Sequence, residues 1–275
     1  MKIDAEKGEG VKLADRYNIS GYPTTVFLKP DGTEIDRIVG YLPTEKFLAE
    51  IQRIQQGSNT YLSLEKAVRE DPDDVGTLLS FARKVESRGG EGSRALRLWQ
   101  RVDSLSAPQA GADTLARFKI AEYRSTNSNR PGPLRDFLEE HPGSAFQVEA
   151  RRALIRIYRK LGETDEEAEM YQEMIELAEE TGEINPGMLN SYAWRMAELD
   201  LHLQDAFARA EQAVDLSSES SAKSRAQILD TKAEVLWKLG DTTRAVEVIE
   251  QCIQLQPDDE YYQEQRAKFL GNAAG

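Results

Sequence analysis

The chain has 275 residues, enough for two domains that each bury a core, and 40% of them are hydrophobic. Its 48 acidic residues against 35 lysines and arginines leave a net charge of -13, which argues against nucleic acid and anionic lipid as partners, because phosphate binding needs clustered cations. A single cysteine, Cys252, excludes an intramolecular disulfide and any CxxC redox or zinc site; with only two scattered histidines, His141 and His202, no metal or cofactor site is expected, and no apolar run is long enough for membrane insertion.

The first elements lie in residues 1–56. "VKLADRYNI" carries apolar residues at Val11, Leu13, Ala14, Tyr17 and Ile19, a short helix running into a loop. "TTVFL" and "EIDRIV" are strands joined by "KPDGT", where Pro30 presets a turn and Asp31-Gly32 supplies a corner that tolerates the left-handed region, so a hairpin is expected. "TEKFLAEIQRI" follows as a helix, with Thr44 as its N-cap and Phe47, Leu48, Ile51 and Ile54 on one face.

This order, with "Y-x-I-x-G-Y-P-T" ahead of a Pro-Asp-Gly hairpin, resembles the carboxyl-terminal half of the thioredoxin family. "KID" is similar to the end of that fold's third strand and "VKLADRYNI" to its third helix. The resemblance implies that Pro23 is the family's cis-proline, and that Gly21, Tyr22, Pro23 and Thr24 form a loop whose backbone pairs with an extended substrate. It also marks what is missing: the first strand and helix, the central strand, and the helix whose start carries CxxC. Without the central strand, Thr25 to Leu28 form a bare apolar edge that invites self-association. Either the segment is the tail of a longer protein or something else completes it; the first is expected, because "MKID" begins in mid-strand. The chain as it stands is therefore expected to be no enzyme, its parent being a bacterial thioredoxin-family oxidoreductase or chaperone. The charged opening "MKIDAEKGEG" is no signal peptide, so the compartment depends on what precedes it.

After a polar break at 57–60 the strand signals vanish, and residues 61–271 read as helices. The clearest pair is "SRAQILDTKAEVLWKLGDTTRAVEVIEQCIQLQPDD": a helix to Leu239, a Gly240-Asp241 turn, and a helix to Leu255 stopped by Pro257. The pattern resembles the tetratricopeptide repeat, with Gly240 at the turn, Ala245 and Cys252 in the small-residue slots and Pro257 closing. Lys232 departs from it, standing where a large apolar residue is usual. Weaker copies carry Gly90, Ala95 and Trp99; Leu154, Tyr158, Gly162 and Ala168; and Ala193, Ala206 and Ala213. "TLARFKIAEYRS" with "PLRDFLEEHPGS" reads as a degenerate copy with a shortened second helix.

The expected fold is thus an α+β partial thioredoxin-like domain followed by an all-α solenoid of about five helical hairpins, stacked because no single pair buries its apolar face alone. The resemblance implies a groove lined by the first helix of each pair. In "ARRALIRIYRKL" the residues Ala150, Ala153, Leu154, Ile157, Tyr158 and Leu161 form one stripe, leaving Arg152, Arg156 and Arg159 on another face. Asn190 and Trp194, then Asp230, Glu234 and Trp237, take the matching positions in later repeats. A groove basic in the middle and acidic toward the end suits an extended, mixed-charge peptide. The Lys and Asn pattern with which the family clamps a terminal carboxylate is absent. The expectation is a non-catalytic protein-interaction scaffold that binds a protein or peptide partner.

Overall fold

The computed structural model describes residues 3–19, 21–107 and 111–271. The chain forms two compact units, Met1–Ala150 and Arg151–Gly275.

The first unit opens with α1 (Glu9–Arg16) and a two-stranded antiparallel hairpin of β1 (Thr24–Leu28) and β2 (Glu34–Val39). Thr24 faces Val39, and a bulge between Phe27 and Leu28 sets Leu28 opposite Glu34. The connecting turn works as its sequence demands: Gly32 has φ +82°, its N–H donates to Lys29 O at 2.9 Å, and Asp31 Oδ1 accepts from Thr33 N at 2.8 Å. Both strands match the sequence reading, but the "KID" strand does not form. Ile3 and Asp4 are irregular and pair with no strand among the described residues, and Lys2 lies outside them.

Next come α2 (Thr44–Gln55), α3 (Tyr61–Glu70), α4 (Val75–Arg88), α5 (Gly92–Leu105), α6 (Ala112–Ser128) and α7 (Gly132–Glu140). Pro43, not Thr44, is the N-cap of α2 and supplies no side-chain cap. Residues 57–60 form a held corner: Arg53 Nη1 donates to Ser58 O at 2.7 Å and Asn59 O at 2.9 Å, and Thr60 closes a capping box with Ser63 at the start of α3. Leu78, Phe81, Ala82 and Val85 of α4 pack with Ala95, Trp99 and Val102 of α5 in a buried core. Phe118 of α6 stacks on Phe146 and tilts against Phe137 of the short α7.

Charge, rather than apolar packing alone, binds the hairpin into this unit. Asp36 of β2 is fully buried and takes Arg53 Nη2 from α2 at 2.7 Å and Lys84 Nζ from α4 at 3.0 Å. Arg37, also buried, pairs with Glu34 at 2.7 Å and donates to the Tyr17 carbonyl at 2.6 Å. Glu34 accepts from Arg88 of α4 at 3.0 Å, and that guanidinium lies 3.7 Å from the ring centre of Tyr61 on α3.

α8 (Gln147–Leu161) carries the chain into the second unit, which continues with α9 (Thr164–Thr181), α10 (Pro186–Leu199), α11 (Leu203–Leu216), α12 (Ala222–Lys238), α13 (Thr242–Leu255) and α14 (Glu260–Phe269). Gly162 and Gly240 take φ of +75° and +83° at the tight turns after α8 and α12. Small residues let the helices approach: Ala193, Ala206, Ala210, Ala213, Ala233, Ala245 and Cys252 have no exposed surface. Lys232 fits because its ammonium pairs with Glu211 at 3.0 Å and lies 5.6 Å from the ring centre of Phe207. No helix of the described residues is long and apolar enough to cross a membrane.

Candidate functional site

The helical period puts Ala150, Ala153, Leu154, Ile157 and Tyr158 of α8 on a buried stripe; Leu161, at the end of the helix, is instead exposed. The opposite face presents Arg152, Arg156 and Arg159, which together line one cleft of about 370 Å³. Tyr171 and Met174 of α9 and Asn185, Gly187, Met188 and Ser191 at the start of α10 complete it. Ile155, Met174 and Met188 are buried and form an apolar floor, and no acidic side chain lines the cleft.

The three arginines differ. Arg159 is anchored: Nε donates to Glu167 Oε1 at 2.9 Å and Nη2 to the Tyr171 hydroxyl at 3.1 Å. Glu167 is itself fully buried and also takes Arg195 Nε and Nη2 at 2.9 and 3.0 Å, so one carboxylate ties α8, α9 and α10 together. Arg152 and Arg156 are exposed and form no ion pair among the described residues. Asn185 caps α10, its Oδ1 accepting from Met188 N at 3.0 Å.

The other expected groove residues lie elsewhere. Asn190 and Trp194 are half-buried on α10 and do not line the cleft; about 100° of helix rotation separates Asn190 from Ser191. Asp230, Glu234 and Trp237 of α12 are not open groove at all, because α14 packs onto them. The Tyr261 hydroxyl donates to Asp230 Oδ2 at 3.1 Å, Lys268 Nζ reaches Glu234 Oε2 at 2.6 Å, and the Trp237 and Phe269 rings are 5.8 Å apart. Burial, reinforced by the nearby Glu234 carboxylate, pushes Asp230 up to about 6 even though the Tyr261 hydrogen bond and Lys268 oppose it.

In the first unit, the Tyr22–Pro23 bond is cis, as the thioredoxin resemblance implies. The loop is short and tied: Thr24 Oγ1 donates to Gly21 O at 2.7 Å, and Gly40 N donates to Pro23 O at 2.8 Å. Tyr22 is 59% exposed beside β1, which pairs with β2 alone among the described residues. Cys252 lies in the second unit, buried between Ala226 and Val248 carbonyls at 3.3 and 3.7 Å, and burial pushes its thiol up to about 12.

Two family models match: a thioredoxin-like domain over residues 4–55 and a tetratricopeptide repeat over residues 226–259. The matches place a thioredoxin-like segment ahead of a helical array in which one hairpin matches the tetratricopeptide repeat. Among solved structures it is similar to YrrB, titled a TPR protein with an unusual peptide-binding site, at TM-score 0.50 and 17% identity over 73% of this chain and 95% of that one. It is likewise similar to the TPR-like repeats of a Podosopora anserina putative kinesin light chain, at TM-score 0.50 and 16% identity over 68% of this chain and 97% of that one. No curated protein matches the sequence. Within the matched repeat, Gly240 makes the turn and Ala245 and Cys252 fill buried small-residue positions between the two helices.

Proposed function

We propose that the chain is a non-catalytic protein-interaction scaffold whose partner is held by the tetratricopeptide repeats at the arginine cleft of α8, α9 and α10. The supporting observation is that cleft itself: three guanidiniums, two of them without an ion-pair partner among the described residues, over an apolar floor with no acid in the lining, on a chain of net charge -13. The test is Arg152→Glu with Arg156→Glu in partner capture by the immobilised chain. Both side chains are exposed, so the helical circular dichroism should persist while capture is lost; unchanged capture would retire the site. That the chain does not itself exchange thiols and disulfides is supported by the chemistry of Cys252, a buried thiol whose deprotonation is disfavoured. Insulin reduction by dithiothreitol should run no faster with this chain than without it.

A second reading is favoured by the bare outer edge of β1: the segment belongs to a thiol–disulfide oxidoreductase whose CxxC half pairs there. Tyr22, Leu28, Val39, Tyr41 and Leu48 are exposed in this segment. Codons upstream of Met1 for a strand followed by Trp-Cys-x-x-Cys would support it, and an in-frame stop there would sink it.

A further inference from the structure

We infer that the arginine cleft recognises an aspartate or glutamate side chain next to a large apolar residue, within an extended segment of a partner protein; this rests on the scaffold reading above. Most cations in the chain are already neutralised locally, as Arg159 is by Glu167. Arg152 and Arg156 stand one helical turn apart with no such partner among the described residues, at a separation that lets two guanidiniums fork one carboxylate or take two. The row from Arg152 to Arg159 spans about 10 Å along the helix axis, an elongated cationic wall rather than a point. The capped start of α10 on the facing wall adds to the positive field.

The floor selects among anions. Ile155, Met174 and Met188 offer a buried, adaptable apolar surface beside the guanidiniums. A small inorganic anion leaves that floor unused, and a long phosphate backbone meets a chain carrying a net charge of -13. A cleft of about 370 Å³ admits one or two side chains, not a duplex or a folded domain. A carboxylate with an apolar neighbour satisfies both walls together. The row geometry and the missing Lys and Asn clamp favour side-chain carboxylates over a chain terminus.

The experiment uses the full chain and fluorescein-labelled ten-residue peptides, blocked at both ends, read by fluorescence anisotropy. One set pairs Asp or Glu with an adjacent Leu, Met or Phe. Matched sets replace the acid by its amide, replace the apolar residue by Ala, or leave the carboxyl terminus free. The acid–apolar set should bind, weakening roughly 10-fold or more on amide replacement. Arg152→Glu with Arg156→Glu should cost at least about 30-fold, while Lys223→Glu on an exposed position of α12 should change nothing. Equal binding of the amide set, or binding only with a free terminus, would overturn the proposal. If no acid–apolar peptide binds while partner capture still needs Arg152 and Arg156, the ligand chemistry is wrong and the scaffold stands. If capture also ignores the double reversal, both readings fall.

Discussion

Replacing Asp230 by Asn should remove a pH dependence of stability that the native carboxyl imposes. The side chain is buried on α12, where Glu234 adds like charge while Lys268 and the Tyr261 hydroxyl of α14 pull the other way; Cys252 of α13 and Tyr262 of α14 are neutral neighbours. An aspartate that ionises near 3.8 in the open chain and at about 6 in the folded one binds its proton more tightly when folded. Below pH 3.8 it is neutral in both states and costs nothing. As pH rises from there to about 6 the unfolded chain ionises first, so stability falls by about 1.4 kcal/mol per pH unit. The loss totals about 3 kcal/mol and then levels off above pH 6. Asparagine carries no charge at any pH, and loss of the carboxyl's hydrogen-bond quality adds only a constant. Urea unfolding of both chains from pH 4 to 7.5 should therefore show the variant gaining on the wild type by about 2 to 3 kcal/mol across that range. Other carboxylates are common to both chains and cancel in the difference. Carboxyl NMR of wild-type Asp230 should place its midpoint near 6. A difference that stays constant with pH, or a midpoint near 4, would refute the reasoning.

Asp36→Asn leaves Arg53 and Lys84 facing a neutral amide in a buried site, and should cost about 3 kcal/mol in chemical denaturation of the first unit; a cost below about 1 kcal/mol would mean the ion pairs are incidental to how the hairpin is held. The edge of β1, unpaired among the described residues, predicts a concentration-dependent dimer in sedimentation velocity that Val26→Lys suppresses, since a charge on an edge strand disfavours strand addition; a clean wild-type monomer at high concentration removes this idea.

Much of the local structure was legible because its causes are local. "TTVFL" and "EIDRIV" form strands with the bounds their turn chemistry implies, and Gly162 and Gly240 turn where left-handed backbone is needed. Five helix pairs run from α4 to α13, including the degenerate pair α6 and α7. The arginine face of α8 was legible too, because one amphipathic helix decides it. What covers a face was not. Asp230, Glu234 and Trp237 occupy positions equivalent to the arginines, yet α14, beginning some thirty residues later, lies over them. The N-cap Asp259 followed by Glu260 was the available signal for that helix. In "EIDRIV", alternation gives no reason to bury both Asp36 and Arg37. Their burial depends on partners that no periodicity links to them, Lys84 at 48 residues and Arg53 at 17 residues from Asp36.

Those charges explain how half of a thioredoxin-like sheet persists. A two-stranded hairpin is marginal by itself. β2 is held against α3 and α4, and its buried aspartate and arginine each require particular partners, which fixes its register more strictly than apolar contact would. β1 receives no such treatment: among the described residues it pairs with β2 alone, keeps Leu28 exposed, and adjoins the exposed Tyr22 loop. The two strands therefore differ in what they offer another chain. α3 and α4 pack against β2, whereas β1 meets only β2 among the described strands, so a strand added beside Tyr22 and Pro23 would extend the sheet at the position the Val26→Lys variant interrogates.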